Sequence, residues 1–317
     1  MIEVHHLTKR YGDTVAVDGL SMTVADHHIY GFLGPNGAGK TTTLNMITGC
    51  LAADAGEVLI DGYDILRAPR EAKRHIGYLP EQPPLYDDMT PAEYLTFVGE
   101  AKGLRGAALR AAVDAAMEKT GVAEMRRRLI RNLSKGYRQR VGIAQAILGE
   151  PKTVILDEPT VGLDPIQVAE LRALIRTLGQ SHTVVFSSHI LSEVSALCDR
   201  VLILSHGQLM AEDAPENLSA HAPGVYRVAV TVRGEPGPAL AALAALEGAS
   251  ARVLSSAANE SRLLLEAASD VREEIPAVLA AAHVPLLGMA LETATLEDVF
   301  LELTRGEQVE KPEQEGR

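Results

Sequence analysis

The chain has 317 residues, 46% of them apolar and only 4% aromatic, with no Trp and a formal net charge of −12. That length and apolar share suit one large domain plus a smaller one and argue against global disorder, while the acidic balance argues against non-specific nucleic-acid binding. Cys50 and Cys198 lack C-x-x-C spacing and read as reduced thiols rather than a disulfide frame or metal site; the opening MIEVHHLTKR is not an apolar leader, and nowhere do 18 uncharged apolar residues run together.

From Met1 to about Leu218, short apolar runs alternate with helical patterns. The first run, IYGFLG (29–34), opens into GPNGAGKTT: Gly34, Pro35, Asn36, Gly37, Ala38, Gly39, Lys40, Thr41 and Thr42. This fits G-x-x-x-x-G-K-[ST] at every required position and leads into a helix. The glycines let backbone N–H groups turn inward around phosphate oxygens, and the helix N-terminus adds its dipole. Lys40 then reaches the β- and γ-phosphates, and Thr41 offers a hydroxyl to Mg²⁺. A plain glycine turn is the competing reading, and the strand–loop–helix context disfavours it.

IGYL (76–79) follows and ends in PEQ. Between Asp87 and Gly149 the strand signal disappears, and the Ala-, Leu-, Glu- and Lys-rich stretches 90–104 and 107–122 predict helices. Thr90, Pro91 and Glu93 form a helix start. Arg126, Arg127, Arg128 and Arg131 are as well explained by a solvated helix end as by an anion-attracting patch. LSKGYRQR (133–140) places Ser134 as N-cap of a helix from about Lys135 to Leu148. Gly136 in its first turn costs about 1 kcal/mol relative to Ala. It makes sense where a ligand approaches the backbone closely, so the stretch predicts a second anion site.

TVIL (153–156) runs into Asp157 and Glu158. At the end of a buried strand beside a P-loop, the Asp can hold a metal and the Glu can polarise an attacking water. TVVFSS (183–188) ends at His189, placed to hydrogen-bond a γ-phosphate, and VLIL (201–204) leads to a turn at His206. The pairs His5–His6 and His27–His28 lack partners at metal-ligand spacing. Runs apolar throughout, separated by helices, predict an α/β fold with a largely parallel sheet. GPNGAGKTT, PEQ, the Asp157–Glu158 pair and His189 then fall at the carboxyl ends of its strands, where such sheets bind ligands.

After Pro215 the composition shifts toward Ala. Strand (225–232), helix (239–247), strands (251–256 and 262–267), helix (271–282) and strand (285–292) give βαββαβ, a ferredoxin-like α+β arrangement. A closing helix spans 295–304. The expected domains are 1–218, with a helical subdomain at about 87–150; an accessory domain at 219–304; and a charged, disordered tail at 305–317.

These motifs resemble the nucleotide-binding subunits of the ATP-binding cassette (ABC) family over roughly residues 1–218. GPNGAGKTT is similar to the Walker A motif, TVILDEPTVGLD to Walker B with the D-loop, LSKGYRQR to the signature, and His189 to the switch histidine. The resemblance implies a P-loop NTPase sheet with ATP and Mg²⁺ as cofactors, Glu158 and His189 as catalytic residues, and Asp157 with Thr41 at the metal. It assigns adenine stacking to Tyr11, a contact across a dimer with the partner's ATP to Ser134, Lys135, Gly136 and Gln139, and communication between subunits to Asp164. Lys135 stands where glycine is usual. The Q-loop glutamine falls on Glu81, with Gln82 one residue later, so either can fill the metal-proximal role.

The resemblance further implies an ATPase subunit working at the inner face of the cell membrane. It would pair with a second copy or a related subunit and power a separate integral-membrane permease, most like bacterial exporters, without nucleic acid. A soluble cassette ATPase acting on ribosomes or DNA ranks lower, because the chain has neither tandem cassettes nor a coiled-coil insertion. The C-terminal domain can alternatively be read as a ligand-sensing regulatory module.

Overall fold

The computed structural model describes residues 1–220, 226–257, 259–292 and 296–305. The chain divides into two compact units, Met1–Pro215 and Glu216–Arg317. The first runs β1 (Ile2–Tyr11), β2 (Thr14–Val24), β3 (Ile29–Leu33), α1 (Lys40–Ile47), β4 (Ala55–Ile60), β5 (Tyr63–Asp64), α2 (Pro69–Arg74), β6 (Ile76–Leu79), α3 (Pro91–Ala101), α4 (Gly106–Lys119), α5 (Lys135–Ile147), β7 (Thr153–Leu156), α6 (Pro165–Gly179), β8 (Thr183–Ser188), α7 (Leu191–Leu197), β9 (Arg200–Ser205) and β10 (Gln208–Asp213).

The central sheet has the order β10-β9-β3-β8-β7-β6. β9, β3, β8, β7 and β6 are parallel, and β10 closes one edge as the antiparallel arm of a hairpin turning at His206 and Gly207. Every residue of β3, β7 and β8 is buried, as their unbroken apolar runs require of strands covered on both faces.

A second sheet, β2-β1-β4-β5, is entirely antiparallel, and the expected plain alternation of buried strands and helices has to be corrected for it. Its signal is an in–out alternation rather than an apolar run. Ile2, Val4, Val17, Leu20, Met22 and Val24 are buried while their neighbours face outward. Register shifts between Val4 and Leu7 and between Leu7 and Lys9 break the period of two along β1. The inward faces of both sheets join α1 in one core containing Val4, Leu20, Phe32, Leu44, Val185 and Leu202. That packing brings Ala16, in β2, against the loop after β3.

The helical insertion forms as expected. Thr90 accepts a hydrogen bond from the Glu93 amide while Glu93 accepts from the Thr90 amide, a complete capping box with Pro91 at the first helical position. Leu95, Val113, Met117 and Val141 bury the apolar faces of α3, α4 and α5.

In the second unit, α8 (Pro215–Ala220) is followed by β11 (Tyr226–Arg233), α9 (Pro236–Leu243), β12 (Ala249–Ala257), β13 (Glu260–Ala267), α10 (Ile275–Ala281), β14 (Leu286–Glu292) and α11 (Leu296–Arg305). The sheet is antiparallel with order β12-β13-β11-β14, which is the βαββαβ topology read from the chain. Val228, Val230, Leu263 and Leu265 pack against Leu243, Ile275 and Leu279. On α11, Leu296 and Val299 are buried, and Asp298 pairs with Arg227, which also meets Glu266 at 2.9 Å. The first unit ends at Pro215 rather than 218, and the tail expected at 305–317 lies, beyond Arg305, outside the described residues.

Candidate functional site

The parallel register assembles the site. Leu33 pairs with Ser188 and Ile203, Phe186 with Leu156, and Leu156 with Leu79. The chain therefore leaves β3 at Gly34, β7 at Asp157, β8 at His189 and β6 near Glu81 along one edge of the sheet. A cavity of roughly 460 Å³ lies there, lined by residues 35–42, Ala16, Glu81, Glu158, Val161 and His189.

The loop after β3 reaches α1 through Gly39, whose φ is +95°. A Cβ there would stand 2.4 Å from the Ala16 carbonyl, so conformation and space both demand glycine. No side chain caps α1 and no acidic residue lies in its first turn, which leaves the leading N–H groups for an anion. Lys40 is buried and donates to the Gly34 carbonyl at 2.7 Å and the Pro35 carbonyl at 3.3 Å. It also lies 3.4 Å from Glu158 Oε1, while Glu158 Oε2 is 2.9 Å from His189 Nδ1. Glu158 thus bridges the P-loop cation and the histidine.

Asp157 is wholly buried. Its Oδ1 accepts from Ser187 Oγ at 2.6 Å, and the same hydroxyl accepts the Glu158 N–H at 2.8 Å. Glu158 sits at φ +46°, left-handed and unfavourable for a residue with a side chain, and the Ser187 bond helps to hold it there. Burial pushes the Asp157 carboxyl above the usual carboxylate range, as do the charges of Glu158 and Glu81. The Ser187 and Thr41 hydroxyls act in the opposite sense. Asp157 Oδ2 is buried with no hydrogen-bond partner among the described residues, an oxygen suited to a metal ion or its water shell. Thr41, which touches both cavity and carboxylate, completes a donor set of hydroxyl and carboxylate oxygens, the kind Mg²⁺ uses when substrate phosphates supply the rest. Among the described residues no cluster of His, Cys, Asp and Glu forms an all-protein metal cage.

Glu81 lines this cavity and Gln82 does not. Tyr11 lies outside the lining; its ring is 52% exposed, with the Lys9 ammonium 5.8 Å from its centroid. Ser187 was not anticipated. Its signal was available, since two serines ending an otherwise apolar buried strand need partners.

Ser134, Gly136, Tyr137, Arg140, Gln167 and Glu170 line a separate cleft of roughly 440 Å³, which also meets Gly121 and shares no residue with the first. Ser134 caps α5 by accepting from the Tyr137 amide at 3.4 Å, and Arg140 pairs with Glu170 at 2.8 Å. A Cβ on Gly136 would meet the Gln167 side-chain oxygen at 2.8 Å, so the glycine is explained by close packing against α6 as well as by an approaching ligand. Lys135 and Gln139 do not line this cleft. A Cβ on Gly162 would lie 2.1 Å from the Lys135 ammonium nitrogen, and Gln139, on α5, is 5% exposed. Asp164 caps α6 by accepting from the Gln167 amide at 2.9 Å.

Residues 17–161 match the model of the ABC transporter family. The chain is 31% identical to a linearmycin resistance ATP-binding protein of Bacillus subtilis, over 96% of this chain and 98% of that one. It is 40% identical to a bacitracin transport ATP-binding protein of Bacillus licheniformis, over 67% and 69% of the respective chains. A solved dimeric structure of a bacterial ABC transporter cassette superposes with a TM-score of 0.62 at 25% identity, covering 68% of this chain and 98% of that one. With residues 34–42, Asp157, Glu158 and His189 gathered on one sheet edge, and a relative matched over 96% of this chain, the chain belongs to the ABC transporter family as an ATP-binding, ATP-hydrolysing subunit.

Proposed function

We propose that the chain is the ATPase of a bacterial exporter, docked through a separate permease at the inner face of the membrane and closing as a dimer on two ATP molecules. The observation that carries the reading is the bridge of Glu158 between Lys40 and His189, beside buried Asp157. The reaction is ATP plus water to ADP plus phosphate. The α1 N-terminus and the P-loop amides bind the phosphates, and Lys40 exchanges its loop carbonyls for phosphate oxygens. Glu158 Oε2 accepts a proton from, or orients, the attacking water, and His189 fixes that carboxylate and reaches the γ-phosphate. Thr41 and Asp157 would hold Mg²⁺, with Glu81 rather than Gln82 beside them, and the ion would neutralise the charge of the β- and γ-phosphate oxygens. Ser134 and Gly136 would meet the γ-phosphate of the ATP on the other subunit, Asp164 would relay closure across the interface, and Tyr11 would stack on adenine.

Export is supported by the resistance and transport names of the relatives, and pairing by the dimeric cassette. No described helix is long and apolar enough to cross a membrane, so transport needs a partner that is. Tyr86, just before the helical insertion, and Phe97 on α3 are half-exposed with ring centroids 5.6 Å apart and offer that partner an aromatic anchor. Co-expression with a polytopic membrane protein encoded beside this chain tests the assignment. A stable complex with altered ATP turnover and ATP-dependent efflux in vesicles is expected. A chain that hydrolyses ATP, binds no membrane protein and is indifferent to one sinks the permease reading.

A further inference from the structure

β8 ends in two fully buried serines whose side chains leave opposite faces of the sheet. Ser187 serves Asp157 and the Glu158 amide, as described above. Ser188 turns instead to Glu193, on the first turn of α7, which is 2% exposed. Glu193 Oε2 accepts from Ser188 Oγ at 3.1 Å and from Thr160 Oγ1 at 2.8 Å, and its Oε1 lies 3.5 Å from the Arg172 guanidinium of α6. Ser188 Oγ in turn accepts the Ile190 amide at 3.0 Å. A carboxylate so deeply buried is costly unless it is engaged, and here two hydroxyls and a guanidinium engage it.

The placement of those partners matters more than their number. Thr160 follows Glu158 by two residues, and Ser188 immediately precedes His189. One carboxylate therefore ties the segment carrying Glu158 to the segment carrying His189, whose side chains meet at 2.9 Å. Arg172 adds a third anchor on α6, the helix whose Gln167 and Glu170 face the Ser134 cleft.

We infer that Glu193 is a positioning residue for hydrolysis, holding the Glu158–His189 pair in register from behind without touching nucleotide. The inference rests on Glu158 and His189 being the hydrolytic pair. It is tested with Thr160→Val and Ser188→Ala, singly and combined, because each removes one hydrogen bond to Glu193 Oε2 while the carboxylate and its Arg172 pairing stay in place. In the full-length chain the combined variant is expected to lose about tenfold in kcat while KM for ATP and nucleotide affinity stay within about twofold. Glu193→Gln, which keeps a carbonyl acceptor for Thr160, is expected to retain several-fold more turnover than Glu193→Ala. A combined variant that melts at lower temperature yet turns over at the wild-type rate makes the network merely structural and overturns the inference. Should Glu193→Ala fail to fold, the neutral Thr160 and Ser188 variants decide alone. Glu158→Gln, run in parallel, keeps the two readings separate: activity in that variant removes the hydrolytic pair itself, whereas inactivity there beside wild-type kcat in the combined variant removes only the role of Glu193.

Discussion

The two clefts of the cassette unit differ in how complete they are. The P-loop cleft holds the uncapped N-terminus of α1, a buried cation in Lys40 and a carboxylate bridged to a histidine, and next to Glu158 lies a buried Asp157 oxygen with no hydrogen-bond partner among the described residues. Everything a phosphoryl transfer asks of the protein on one side of the phosphate is present. The Ser134 cleft offers a capping hydroxyl, a glycine and the start of a helix, but its one lining arginine is already paired with Glu170. In the proposed dimer the second cleft would meet the far side of a phosphate held by the first cleft of the other subunit, so the two would be complementary rather than equivalent.

The sharpest way to separate the clefts is chemical. Glu158→Gln is expected to lower kcat by about 10³-fold while ATP still binds, leaving a closed dimer that persists in gel filtration. Wild-type turnover there would strip the P-loop cleft of its catalytic group. Next comes the trans arrangement. Ser134→Ala is expected to leave nucleotide affinity of the separated chain unchanged and to cut turnover by about 10- to 100-fold. Mixing it with Lys40→Ala, itself inactive, is expected to restore roughly a quarter of the wild-type sites, because half the dimers would join an intact P-loop to an intact signature. A mixture as inactive as its two components would place both functions within one chain.

The smallest effect concerns pH. The folded Asp157 carboxyl titrates above its ordinary value, so its ionised, cation-holding form is complete only above that raised value and is lost as pH falls through it. The same shift makes the desolvated carboxylate a stability cost above the raised value, relieved as the pH falls. The Mg²⁺ concentration for half-maximal ATPase is expected to climb roughly threefold across that window, beyond what protonation of ATP explains. Asp157→Asn removes this increment; an identical pH response in both proteins would show that Asp157 is not the group that meets the metal.

Legibility followed the kind of signal. The P-loop, the acidic pair and Ser134 announced themselves because each joins a residue type to a strand or helix end within a few positions. The βαββαβ order of the second unit was readable for the same reason. The antiparallel sheet was not, since β1 buries only alternate residues and its register shifts spoil even that period. Gln139, which the resemblance assigns to a contact with the partner's ATP, is buried in the chain by itself, and its motif position does not reveal that burial. Ser187, Ser188 and Glu193 carry no motif of their own and act through residues about 30 positions away in Asp157, Glu158 and Thr160.

Local chemistry, then, is written in the chain: which groups can bind phosphate, donate or accept a proton, start a helix or span a buried strand. Tertiary structure alone decided that Leu33, Ser188, Leu156 and Leu79 end in register, because parallel pairing is settled between strands far apart in the chain, such as those of Leu33 and Ser188. It also decided which carboxylates lost their water, which carbonyl presses on Gly39, and which serine serves which acid. Those outcomes depend on what packs against each group, and no short window of sequence contains its own neighbours across a sheet.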